Sequence, residues 1–210
     1  MYTPQSFKEN RLEVLHELIR SNPFGLLVSN GEEGPLATSI PFCLVDNGAQ
    51  FGMLQAHLAR ANPHWKTIDG QNVLVVFQGA DAYISPSWYP SKDEHGKVVP
   101  TWNYVMIQAR GNVRVIEDPS WLKRQITALT NQQEASRPNP WKVSDAPESY
   151  IDAEIKGIVG LEIQINHLEG KWKVSQNRNM QDRKGAAENL FAEGNTEMHD
   201  LVRKYGGLDS

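Results

Sequence analysis

Residues 24–54 read FGLLVSNGEEGPLATSIPFCLVDNGAQFGML. Phe24 to Ser29 is a short apolar run. Asn30 to Pro35 holds two Gly and a Pro within six residues, which is turn chemistry. Leu36 to Val45 reads as a second strand, with Pro41 marking an edge or a bulge. Asp46-Asn47-Gly48 is a strong hairpin signal, and Gln50 to Leu54 resumes the strand pattern. Strands joined by turns this short pair antiparallel, because a parallel return needs a crossover of a dozen residues or more. This stretch therefore predicts antiparallel pairing, in a barrel or a curled sheet.

The pattern continues downstream. Asn72 to Gln78 encloses the apolar run VLVVF between Gly70 and Gly79 and reads as a buried strand. Asn103 to Val115 is a long strand candidate interrupted by Gly111. Between Gly157 and His167, Leu161, Ile163 and Ile165 alternate with polar residues. Trp172 to Ser175 is expected to pair with that strand across a turn at Glu169-Gly170. The late strands complete the same sheet, so residues 1–210 are expected to form a single domain. Helices flank it. Ser6 and Glu9 have capping-box spacing ahead of Leu12, Leu15, Leu18 and Ile19, which predicts a leading helix of about four turns. Asp118-Pro119 opens another helix, with Trp121, Leu122, Ile126 and Leu129 on its apolar face. Arg137 to Trp141 is a breaker-rich loop, and Ser149 to Ile155 predicts a short helix. Residues 181–205 form a helical tail broken near Gly194. The fold class is α+β, mainly β.

Bulk properties bound the function. The chain has 210 residues, 40% hydrophobic and 22% charged, enough to bury one sizeable core. Its net charge of −4 does not support DNA binding, which rests largely on Lys and Arg contacts to phosphate. The N-terminus lacks the basic and apolar regions of a secretory signal. No run reaches the roughly 20 apolar residues of a membrane span. A cytoplasmic protein without a membrane anchor is expected. The single cysteine, Cys43, lies in an apolar run and reads as a core residue. His57 and His64 have no nearby Cys or carboxylate to complete a ligand set, so no metal is expected.

Three segments can carry chemistry. In Gln55 to Trp65, QAHLARANPHW, Asn62 is a good N-cap and Pro63 suits the first helical position. A helix start there, with His57 and Arg60 just upstream, makes a phosphate cradle. An ordinary capped turn reads equally well from the same residues. Tyr83 to Tyr104 mixes aromatics, prolines and hydroxyls, suited to covering a planar ring or to packing on the core. Lys173 to Arg178, KVSQNR, mixes a cation with amide and hydroxyl donors, as a solvated strand end also does. No G-x-S-x-G, G-x-G-x-x-G or Walker A string is present.

The same segments carry a family resemblance. The strings Ala37-Thr38-x-x-Pro41, His57-Leu58-Ala59-Arg60-Ala61-Asn62-Pro63-x-Trp65, Tyr83-Ile84-Ser85-Pro86-x-Trp88-Tyr89, Val99-Pro100-Thr101-Trp102-Asn103-Tyr104 and Lys173-x-Ser175-Gln176-Asn177 resemble the PaiB-type FMN-binding proteins, described as negative transcriptional regulators of protease synthesis and sporulation. The resemblance implies an antiparallel split β-barrel with flanking helices. It also implies a homodimer with FMN at the subunit interface. Carried over by position, His57, Leu58, Arg60 and Asn62 belong to the phosphate end of FMN. Thr38 and Ser39 approach the isoalloxazine edge. Thr101, Trp102 and Asn103 line the ring, and Lys173, Gln176 and Asn177 close the site. Two functions stand: a flavin-binding regulator acting directly or indirectly, and an FMN-dependent oxidoreductase or flavin reductase using NAD(P)H. A non-catalytic split barrel holding haem is the third reading.

Overall fold

A computed structural model describes residues 1–208. Its eight described strands are β1 (Lys8–Glu9), β2 (Phe24–Gly31), β3 (Gly34–Pro41), β4 (Cys43–Val45), β5 (Met53–Ala59), β6 (Asn72–Ile84), β7 (Thr101–Ile116) and β8 (Ile158–Lys173). The described helices are α1 (Leu12–Ser21), α2 (Trp65–Ile68), α3 (Ser91–His95), α4 (Pro119–Glu134), α5 (Glu148–Lys156), α6 (Met180–Ala192) and α7 (Thr196–Gly206). The strands form one sheet in the order β3-β2-β6-β7-β8-β5-β4, with β1 on β8. The described pairings β2–β3, β2–β6, β4–β5, β5–β8 and β1–β8 are all antiparallel. The fold read from residues 24–54 is the one the chain adopts.

The chain divides into two compact units. The first comprises Met1–Leu15, Gln78–Ile107 and the chain from Glu169 onward. Its core gathers Ile84, Tyr89, Val105, Ile107, Trp172 and Val174, with Leu190, Met198 and Val202 from the α6–α7 hairpin. The second comprises His16–Phe77 and Gln108–Leu168. Leu27, Phe42, Leu54, Leu58, Val75, Phe77 and Leu161 are fully buried in it, each worth about 1.5–3 kcal/mol by transfer. A satellite cluster of Ile116, Trp121, Leu122, Val143, Ile151 and Ile155 packs α4 against α5. Cys43 is also buried in the second unit, and burial pushes its thiol up to about 11, so it is core material as expected.

Several boundaries differ from expectation for identifiable reasons. The chain at Ser6 forms a 3-10 turn, not a helix cap, and Glu9 enters the two-residue strand β1. The Glu9 carboxylate then accepts from the Arg11 backbone N–H at 2.9 Å, so α1 starts at Leu12. No turn occurs at Glu169-Gly170. Strand β8 runs straight through, because Gly170 is needed for space: a Cβ there would stand 2.3 Å from Leu15 Cδ2. The expected single strand 36–45 breaks at Phe42, whose N–H makes the last bond in register with the β2 side, to the Pro23 carbonyl, before Cys43 turns to pair with β5.

Candidate functional site

In the second unit, β5 sets the first group of residues. Strand alternation sends Leu58 into the core and His57 to the opposite face. His57 Nδ1 lies 2.8 Å from Gln125 Oε1. Arg60 follows the strand, and its guanidinium is tightly oriented. Nε donates to the Lys156 carbonyl at 3.0 Å and Nη2 to the Ile158 carbonyl at 3.2 Å. Nη1 meets the Glu117 carboxylate at 2.5 Å. The Trp65 indole N–H donates back to the Arg60 carbonyl. A cavity of about 690 Å³ opens beside Arg60, lined also by Glu117, Ser120, Lys123, Asp152 and Lys156 over Leu122 and Ile155.

Asn62 Oδ1 accepts from the His64 N–H at 3.0 Å, so it caps a turn and not a helix. The helix expected at Pro63 is the four-residue α2, starting at Trp65. One turn is too short to build an anion-attracting dipole. His64 carries the local architecture instead. It is buried, with Nε2 2.7 Å from Ser29 Oγ and Nδ1 2.8 Å from Thr38 Oγ1. Burial holds its imidazole below the ordinary range, hence neutral. Thr38 therefore points inward beside Leu27, whereas Ser39, opposite Leu26 in the β2–β3 ladder, faces outward and is exposed.

In the first unit, β7 and the end of β8 set the second group. The Lys173 ammonium donates to Thr101 Oγ1 at 2.5 Å and to the Trp102 carbonyl. Asn103 is buried, and its amide donates to Ser175 Oγ at 2.9 Å. Ser175 has a φ of +65°, a left-handed conformation rare for a residue with a side chain. The Gln176 amide closes the turn, accepting from Val174 N–H and donating to the Trp172 carbonyl. Asn177 is exposed. Trp102 is exposed with Tyr83 edge-on to it, ring centroids 5.9 Å apart. Thus Thr101, Trp102, Asn103, Lys173 and Gln176 are brought together in this unit. His57, Leu58, Arg60, Asn62 and Thr38 cluster around β5 and α2 in the other.

Sequence reading missed Glu117, Gln125 and Ser29, which lie far along the chain from the residues they hold. His64 lay inside a quoted string, but its partners Thr38 and Ser29 are 26 and 35 residues away. Among the described residues no group of three or more His, Cys, Asp or Glu is placed to hold a metal ion.

The sequence profile of the family described as "Putative FMN-binding domain" matches residues 1–167. The chain belongs to that FMN-binding family. The chain is 33% identical to the protease synthase and sporulation protein PAI 2 of Bacillus subtilis (strain 168), covering 96% of this chain and 95% of that one. It is 35% identical to an uncharacterized protein of Emericella nidulans over 99% of this chain and 98% of the other. Among solved structures it resembles the FAD and heme binding protein from Mycobacterium smegmatis, with a TM-score of 0.60 and 16% identity over 79% of this chain and 73% of that one. The flavocytochrome Anf3 from Azotobacter vinelandii has a TM-score of 0.56 and 12% identity over 79% and 69%. These structural likenesses carry the fold, an antiparallel split β-barrel with flanking helices.

FMN is the cofactor of this family, and the donor set fits it. A phosphate dianion asks for an oriented cation, which Arg60 supplies at the wall of a cavity within the usual size range of ligand sites. The ribityl chain and ring edge ask for hydroxyl and amide groups, and a ring face asks for flat apolar surface. In the second unit, where Arg60 lies, Ser39 offers an exposed hydroxyl.

Proposed function

We propose that the chain is an FMN-dependent oxidoreductase acting as a homodimer, and that any part it plays in gene control runs without direct DNA contact. The carrying observation is the state of its polar side chains. The buried imidazole, His64, is held neutral between two hydroxyls, and Arg60 and Lys173 are oriented by carbonyl oxygens. Such groups bind and orient; none is posed as a nucleophile with its base. FMN, when bound, supplies the redox chemistry that these side chains lack. Arg60 holds the phosphate, with His57 beside it on β5 fixed by Gln125.

Direct DNA binding has little to stand on. Proteins gripping DNA commonly make roughly 6–10 phosphate contacts. No described helix carries more than two Lys or Arg residues, and net charge is −4. Dimerisation is supported by the outward face of β2, β3 and β6 in the second unit. Phe24 and Leu26 are 67% and 38% exposed there, beside Ala37 and Ser39. Val28, Leu74 and Val76 extend the same face by register. An exposed apolar sheet face of this kind asks for a partner.

The test is anaerobic mixing of the FMN-loaded protein with NADH and NADPH, followed through the visible absorption of the flavin. Bleaching by either donor is expected. Flavin that stays oxidised with both, yet bleaches with dithionite, refutes the oxidoreductase reading. A gel shift with DNA at physiological salt would refute the exclusion of direct contact.

A further inference from the structure

The end of β8 concentrates positive charge, with Lys171 donating to the Tyr2 carbonyl at 3.2 Å and Lys173 to the Trp102 carbonyl. Lys171 and Lys173 lie on one face of the strand, and both ammonium groups flank a single ring. Their Nζ atoms stand 5.1 and 6.0 Å from the centroid of Tyr104. Arg178 follows, its guanidinium 4.7 Å from the centroid of Tyr89. Among the described residues none of these three cations forms an ion pair with a carboxylate. Like charges gathered without a counter-charge repel one another, and more strongly where water is partly excluded. Burial lowers the Lys173 ammonium below its ordinary range, and Lys171 and Arg178 add to that effect.

The turn linking these cations is also strained. Ser175, midway between Lys173 and Arg178, takes the left-handed conformation and is held there by buried Asn103. A rare backbone geometry fixed by its surroundings is a device for placing flanking groups. It separates Lys173, beside Tyr104, from Arg178, over the buried Tyr89 ring, and in the same unit the Trp102 and Tyr83 rings are exposed.

We propose that Lys171, Lys173 and Arg178 form the site for the anionic group of a planar second reactant, a carboxylate or phosphate ester, distinct from the phosphate of FMN. This rests on the reading of the chain as an FMN-dependent oxidoreductase, and it names the class of molecule that exchanges electrons with the cofactor. The ammonium and guanidinium groups neutralise the anion, and the aromatic rings receive its flat body.

The experiment is calorimetric titration of the FMN-loaded protein with phenyl phosphate, benzoate and inorganic phosphate, with benzyl alcohol as the neutral control. Phenyl phosphate or benzoate is expected to bind, and the better of the two identifies the head group. Benzyl alcohol is expected to give no signal. The double variant Lys171→Gln/Arg178→Gln is expected to bind the anion roughly tenfold or more weakly, as loss of two charge-assisted contacts implies. Its FMN affinity and melting temperature should stay at wild-type values. Arg178→Lys, which keeps the charge, should retain most of the binding and so separate charge from packing. The proposal is overturned if no anion binds, if the double variant binds like wild type, or if it loses FMN in parallel, since the cluster would then serve the cofactor itself. Anion binding with no flavin reduction by NAD(P)H leaves the anion site standing and refutes only the choice of electron donor.

Discussion

Arg60 and Glu117 meet at 2.5 Å at the wall of the cavity beside β5, while two other guanidinium nitrogens are tied to carbonyl oxygens. The carbonyls fix the plane of the guanidinium, and the carboxylate occupies its third nitrogen. Both partners are substantially exposed, so the pair itself contributes at most about 1 kcal/mol to stability. A phosphate dianion therefore competes with Glu117 for Arg60. Arg60→Ala is expected to weaken FMN binding by about 1.5–3 kcal/mol, the scale of a charged hydrogen bond. Glu117→Gln is expected to tighten it while leaving the melting temperature nearly unchanged. Titration followed by quenching of FMN fluorescence measures both; unaltered affinity in Arg60→Ala removes that residue from the site.

The outward face of β2 carries the dimer reading. Leu26→Glu puts a charge at its centre, opposite Ser39. The side chain is exposed in the single chain, so the monomer fold should lose less than about 0.5 kcal/mol. Size-exclusion chromatography with light scattering is expected to show twice the chain mass for wild type and the chain mass for the variant. A wild-type protein that runs as a monomer at all concentrations ends the dimer reading.

His64 links the two hydroxyls of the β2–β3 hairpin to the turn after β5. Its folded-state pKa lies below its ordinary value of 6.5 because burial penalises the charged ring. The unfolded chain thus takes up a proton more readily than the folded one between those two values. Stability is fully present above about pH 6.5 and is lost as pH falls through that value toward the folded pKa. Thermal unfolding between pH 5 and 8 should show this slope, and His64→Gln should remove it. Thr38→Val leaves a ring nitrogen unpaired in the interior and is expected to cost about 1–3 kcal/mol. A melting temperature independent of pH across that range contradicts the assignment of His64 as a buried neutral group.

The sequence disclosed the sheet and concealed the site, and the reasons are physical. Leu54, Ala56 and Leu58 announce a strand because period-2 burial is written in consecutive residues. Gly170 misled because glycine marks turns and close contacts alike, and only the neighbouring Leu15 and Glu9 tell which applies. Asn62-Pro63 promised a helix because capping chemistry is local, whereas the length of α2 is decided by packing around buried His64 and Ile68. Arg60 was legible as a cation near a strand end, but Glu117 and the Lys156 carbonyl that position it lie 57 and 96 residues away. Ser175 could not be found from sequence at all, since nothing in KVSQNR signals a left-handed serine.

Gly111 interrupts the strand pattern of β7, and the cause is contact with β8. A Cβ at this position would stand 1.9 Å from the Gln164 carbonyl oxygen, a backbone atom that cannot move without shifting its strand. Gly111→Ala is therefore expected to destabilise the fold by about 1–3 kcal/mol or more through overpacking. Urea unfolding measures this as a lower midpoint. A change below about 0.5 kcal/mol would show that the two strands have room to part.

Glu9 is a buried carboxylate of the first unit, and it joins residues near the two ends of the chain. It accepts from the Arg11 backbone and side chain and from the Tyr205 hydroxyl at 2.9 Å. Burial by itself would raise its pKa, but these donors and the Arg11 charge outweigh that and hold it at about 2, against an ordinary 4.5. A carboxyl with a depressed folded-state pKa contributes stability that is complete above about pH 4.5 and disappears as pH falls through 4.5 toward 2. Glu9→Gln removes the charge and leaves one neutral amide oxygen where the guanidinium and phenol had two carboxylate oxygens. The variant should be clearly less stable than wild type at pH 7, with the gap closing steadily between pH 4.5 and 2. Because Glu9 reaches Tyr205 on α7, the same substitution should raise hydrogen exchange in α7 before it does so in β2 and β5. Parallel acid limbs for the two proteins would mean that the Arg11 and Tyr205 contacts do not hold Glu9 ionised in solution.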